Sequence, residues 1–184
     1  GAKDIIKNGS YFFNGSQGKF KPYKITIETS AFSNLGKFKF NIATVTTEKA
    51  FDNQGIIIPT VELNIKGESE VLNRGDIRSN RGCLRVYNNN TFFHNLGEIN
   101  LKKIELLCKT TCIQSLIKAN KVSFNSSTLL KHFRNEGPDV EIVEASINGV
   151  FVNEGFMLLN QTLRTFGEHS EIHNKAQIST QQVL

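Results

Sequence analysis

The chain has 184 residues, enough for one domain with a real core, and its length gives no reason to divide it. Its 22 Lys and Arg stand against 17 Asp and Glu, a mild net charge of +5, and the basic residues are scattered, with pairs such as Lys102-Lys103 but no long run. This argues against nucleic acid, whose binders cluster cations on one stripe, and no apolar stretch reaches the roughly eighteen residues of a membrane-spanning helix.

Three cysteines, Cys83, Cys108 and Cys112, are an odd count and argue against a disulfide framework. "CKTTC" has no second Cys or His pair at ligand spacing, so neither a metal nor any other cofactor is implied. Fourteen Phe, no Trp and three Pro, with many Asn and Ser, suit stacked arrays of short strands. The opening Gly1-Ala2 lacks an initiator Met and no signal segment follows, so a fragment of a longer protein is expected.

Along the chain, "FDNQGII", "VLNRGDI" and "FHNLGEI" (51–57, 71–77 and 93–99) repeat one phrase: apolar, spacer, Asn, spacer, Gly, spacer, apolar. Taking the Asn as reference, slots fall at Asn14, Asn34, Asn53, Asn73, Asn95, Gln114, Asn135, Asn153 and Asn174, with gaps of 18 to 22 residues. Two residues before each slot stand Phe12, Phe32, Phe51, Val71, Phe93, Cys112, Phe133, Phe151 and Ile172, all apolar. Two residues after, six of the nine positions are Gly, in a chain with only 14. Choosing Asn does not by itself enrich both flanking columns, so the repeat is real.

The segments between slots, "KITIET", "VELNIK", "CLRVY", "KIELLC", "KVSFN" and "VEIVEASI", mostly alternate apolar with polar residues, as strands with one buried face do. The pattern predicts an all-β fold: one single-stranded right-handed parallel β-helix, or β-solenoid, of about nine coils of some 20 residues, with handedness from the chirality of parallel crossovers. Residues 1–184 form one domain, with 51–184 regular and 1–50 irregular or capping. A leucine-rich repeat would need a Leu-x-x-Leu-x-Leu strand and a helical return, which are missing.

In such a solenoid Phe12, Phe32, Phe51, Phe93, Phe133 and Phe151 form an internal stack, and Asn34, Asn53, Asn73, Asn95, Asn135, Asn153 and Asn174 a structural amide ladder. Gly turns the corner with positive φ. The weak slot at Gln114 leaves room for one short helix over residues 110–122.

"VLNRGDIRSNRGCLRV" and "FHNLGEINLKKIELL" resemble the repeats of filamentous-haemagglutinin-type exoproteins, the two-partner-secreted family of adhesins and contact-dependent inhibition proteins. The resemblance covers 51–184 well and 8–50 less well. These copies are richer in Phe and charge than family repeats. "FNIAT" (40–44) is similar to the family's Val-Asn-Ile-Ala secretion signature, without its Asn-Pro elements. The resemblance implies a right-handed parallel β-helix displayed outside the cell.

Parallel β-helices also carry polysaccharide lyases and hydrolases. Asp76 and Glu98 sit three residues after consecutive slots and should point the same way, about 5 Å apart, a spacing that suits a retaining glycosidase pair. No third acid extends the column, and Arg74, Arg78 and Lys102 flank it as they would solvated surface carboxylates. His94, His132, His169 and His173 share no ligating arrangement, and neither a phosphate loop nor a nucleophile elbow is present.

No catalytic, cofactor or metal residue is therefore assigned. The expected role is a non-enzymatic segment of a secreted or surface-displayed bacterial exoprotein, a spacer and adhesive surface for a cell-surface receptor or glycan. The alternatives are a carbohydrate-active enzyme or glycan-binding module, and a self-polymerising cytoskeletal β-helix.

Overall fold

The computed structural model describes residues 3–68, 70–134 and 137–180. The strands are β1 (Lys3–Asn14), β2 (Lys19–Phe20), β3 (Lys24–Asn34), β4 (Lys37–Asn53), β5 (Ile56–Gly67), β6 (Glu70–Asn73) and β7 (Asp76–Asn95). They continue as β8 (Glu98–Ile113), β9 (Ile117–Lys131), β10 (Val140–Asn148), β11 (Val150–Glu154), β12 (Phe156–Thr165), β13 (Glu171–Asn174) and β14 (Gln177–Thr180). Every ladder is parallel, and each coil pairs with the one about 20 residues on. The protein is a β-solenoid of about nine turns. Among the described residues there is no helix, and residues 110–122 form the end of β8, a turn and the start of β9.

Breaks in register divide each coil into three pairing stretches. In β4 they are 37–40 (face A), 42–47 (face B) and 50–53 (face C). Alternation places one set of side chains inside, such as Phe38, Phe40, Ala43, Val45, Phe51 and Asn53, and turns the other to solvent. The inward sets of all coils merge into one apolar core.

The inner column of face C begins Phe12–Phe32–Phe51–Val71–Phe93. The rings of Phe12 and Phe32 are parallel at 5.1 Å, and those of Phe32 and Phe51 at 4.6 Å. Beside it, each Asn donates from Nδ2 to Oδ1 of the Asn one coil on: Asn14 to Asn34 at 2.7 Å, then Asn34 to Asn53, Asn53 to Asn73 and Asn73 to Asn95 at 2.8 Å each. Asn153 and Asn174 repeat this at 2.8 Å. The same amides reach the corner carbonyls of Gly36 and Gly55.

Two coils depart from the sequence-based register. Asn95 pairs with Ile113, one residue before Gln114, and Ile113 pairs with Leu130. Leu130 in turn pairs with Asn153, so Leu130 holds the place expected for Asn135, which lies outside the described residues. Thr111 and Thr128 therefore fill the inner column, while Cys112 aligns with outward His94 and Leu129. Phe133 is not in the stack: it is 40% exposed, in a segment beyond β9. The phrase at 133–137 imitates the repeat, but apolar alternation through Val122, Phe124, Thr128 and Leu130 decides which side chains go inside. The inserted hydroxyls satisfy one another, with Ser126 Oγ 3.0 Å from Thr111 Oγ1 and 2.9 Å from Thr128 Oγ1.

The glycine column has a different cause from the one expected. Among the described residues positive φ occurs only at Gly137, Gly149 and Gly167, and not at Gly36, Gly55, Gly75, Gly97 or Gly155. A Cβ on Gly55 would instead collide with the carbonyl oxygen of Gly36, and one on Gly75 with that of Gly55. Glycine is required because corner backbones stack directly on one another.

Phe93 is fully buried between Val71 and Thr111, so Phe93→Ala should cost ~3–5 kcal/mol in denaturant melts. Phe133→Ala and exposed Phe92→Ala should each cost within ~1 kcal/mol. Finding either of the latter as damaging as Phe93→Ala would overturn this register.

Candidate functional site

Asp76 and Glu98 pair in register on outer face A of β7 and β8. Ile99 pairs with Ile117, so Leu116 follows Glu98 in this column, and Ile117 lies inside. Asp76 is in an ion pair with Arg78 at 3.3 Å, and both carboxylates stand on an open strand face. The histidines are not gathered: His94 meets Glu70 at 3.3 Å and His173 meets Glu171 at 2.9 Å, on separate coils. Among the described residues no cluster of His, Cys, Asp and Glu is arranged to hold a metal ion. Burial pushes the Cys108 thiol up to about 11, against a weak hydrogen bond to Thr111, so it is neutral and inward-facing. No helix among the described residues is long and apolar enough to cross a membrane, which says nothing about strands.

His132 is held by Asp139, a residue the sequence reading passed over. Its side chain is fully buried, and its carboxylate accepts hydrogen bonds from Phe156 N–H at 2.7 Å, Arg134 N–H at 3.0 Å and Phe133 N–H at 3.2 Å. His132 Nδ1 lies 3.0 Å from the same carboxylate. Burial pushes this carboxyl up, but the donors from Phe156, His132, Phe133 and Arg134 outweigh it and hold it below the usual Asp range. Asp139 thus ties the segment after β9 to the starts of β10 and β12. The clue in sequence is an Asp just before the apolar start of a strand.

The corner between faces A and B changes in length from coil to coil. It holds Asn41 alone in one coil, Thr60-Val61 in the next, Asn80-Arg81-Gly82 in the third, and later Lys102, Asn120, Val143 and Asn160-Gln161. Three depressions follow it. One of about 470 Å³ lies among Thr60, Val61, Ser79, Asn80 and Arg81. A second, of about 130 Å³, is lined by Asn100, Asn120, Asn160, Lys118 and Glu141 with apolar neighbours. The third, of about 260 Å³, opens on face B over β8, β9, β10 and β12, with Lys103, Lys121, Ser123, Ser146, Arg164 and Phe166 among its walls.

Charge on face B is laddered. Arg85 bridges Glu62 at 2.8 Å and Glu105 at 2.5 Å, Lys103 also meets Glu105 at 2.5 Å, and Lys121 meets Glu144 at 2.8 Å. Burial would raise the Glu105 carboxyl, but hydrogen bonds from Lys103 and Arg85 hold it below its ordinary value. The surface can recognise charged and hydroxyl-bearing groups by complementary side chains along the axis. Compared with protein-family models, curated proteins and solved structures, the chain matches none of them.

Because the Asp139 carboxyl is held below its unfolded value of ~3.9, its stabilisation is complete above that pH and disappears as pH falls through the folded value. Asp139→Asn should be less stable at pH 7 by ~1–3 kcal/mol in urea melts. The deficit against the parent protein should shrink as pH falls below about 4. A deficit unchanged down to about pH 2 would show that the charge has no role.

Proposed function

We propose that the chain is a non-enzymatic β-helical segment of a secreted or surface-displayed bacterial exoprotein, related to the filamentous-haemagglutinin-type adhesins its repeats resemble. It acts as a stiff spacer whose outer faces contact a receptor or glycan on another cell. The observation that carries this reading is the unbroken coil-on-coil stacking, which commits inward residues to a continuous core and leaves outward residues of every coil for contact. Nine coils at strand spacing make a rod about 40 Å long. Beads coated with the chain should adhere to cell monolayers above albumin-coated beads, and adhesion no better than albumin would defeat this role.

A carbohydrate-active enzyme is the second reading, favoured by the in-register pairing of Asp76 with Glu98. On the proposed reading, polygalacturonate and alginate release no reducing ends or unsaturated products above blank. Cleavage that Asp76→Asn or Glu98→Gln abolishes would establish the enzyme instead.

A further inference from the structure

The groove on face B has features of a ligand site beyond those of a solvated strand surface. Its side chains come from two outward columns, Lys103–Lys121–Glu144–Thr162 and Ser123–Ser146–Arg164, over a floor at Val122 and Ala145. Lys121 is neutralised by Glu144 and Lys103 by Glu105. Arg164 is exposed, and its guanidinium has no hydrogen bond or ion pair among the described residues. Its planar fork of donors suits a carboxylate, which takes two parallel hydrogen bonds from it.

Beside Arg164, Ser123 Oγ and Ser146 Oγ lie 2.8 Å apart. One hydrogen joins them, which leaves a second hydrogen and several lone pairs to meet hydroxyl groups. At the groove's end the ring of Phe166 is 53% exposed. Its backbone is fixed on both sides, donating to Ile147 O at 2.8 Å and accepting from the Ser170 hydroxyl, so the ring stands on a set platform. An apolar ring face beside hydroxyls and an unpaired guanidinium matches a sugar acid, with a C–H face, hydroxyls and one carboxylate.

The neighbouring depression adds a second sign. Asn160 Oδ1 is buried there without a hydrogen-bond partner, an acceptor awaiting a donor. Asn100 and Asn120 share that hollow, and amides both donate and accept, as ligand hydroxyls require. In each of four successive coils the two depressions are lined by residues at most a few positions apart, as with Lys118 and Lys121, or Asn160 and Thr162.

We propose that this groove binds a short carboxylate-bearing glycan, with the carboxylate on Arg164, hydroxyls on the Ser123–Ser146 pair and one sugar ring against Phe166. At about 260 Å³ it falls just below the usual range of small-molecule pockets (~300–1,000 Å³) and suits one or two sugar rings. This names the ligand class for the contact surface proposed above and rests on that reading. The hydroxyl pair and the exposed ring favour a sugar over an acidic peptide, whose backbone could add only along residues 162–165 of β12, paired on one side alone among the described residues.

The test is calorimetric titration of the chain with trigalacturonate and sialyllactose, which separate uronic from sialic acids, and with maltotriose and pentaglutamate as controls. Binding of either carboxylated sugar, weakened about tenfold or more by Arg164→Gln and also reduced by Phe166→Ala, is the expected result. Both side chains are exposed, so circular dichroism should be unchanged in these variants. Equal binding of maltotriose, tighter binding of pentaglutamate, no binding of either acid sugar, or unaltered affinity in Arg164→Gln would overturn the proposal. Bead adhesion that persists in Arg164→Gln would leave the contact-surface role standing while this groove fails.

Discussion

A buried Asn amide is tolerable inside this core only because another Asn lies one coil away in the same orientation. An unpaired amide in apolar surroundings costs several kcal/mol, whereas Nδ2 of Asn34 and of Asn53 each meets the next Oδ1 and reaches a corner carbonyl. Register follows from that requirement. A slip of one residue would turn the amides out of the core and bring their outward neighbours in, so the ladder excludes it. The parallel Phe rings and the glycine corners depend on the same alignment, because each works only against its own copy.

This is why so much of the fold is legible in the chain. A position stacked on its equivalents meets nearly the same surroundings in each coil, and similar surroundings select similar residues. Asn34, Asn53, Asn73 and Asn95 announce themselves for that reason. The register at Ile113 and Leu130 is harder to read, because there the ladder residue is apolar and only strand alternation marks it. The phrase at Phe133 has the right letters, but Phe133 lies beyond β9 and stands exposed. Glycine was legible as a requirement but not in its cause, since crowding by a carbonyl 19 or 20 residues away leaves no mark beside the glycine itself.

The groove could not be read this way at all. Its walls come from four coils and change in type along each column, Lys, Lys, Glu and Thr in one and Ser, Ser and Arg in the other. Outward positions meet solvent, which imposes no shared residue, so no period betrays them. Asp139 is a case between the two. It is structural and buried, but it serves one local junction between two coils and therefore occurs once.

The irregular coils and the groove share the same stretch of the rod. The amide ladder pauses at Ile113 and Leu130, the inner column turns to Thr111 and Thr128, and the longest connection of the chain runs to Asp139. The groove opens over β8, β9, β10 and β12, which flank that connection. Natural chains depart from internal consistency mostly where something other than folding is selected. Here the departure is contained: hydroxyls bond to hydroxyls inside, and one carboxylate gathers the orphaned N–H groups of the altered corner. The ladder resumes at Asn153, so the altered coils are held between regular ones on both sides. A solenoid transmits order only between neighbours, so two well-stacked blocks can carry a stretch whose outer surface is free to specialise.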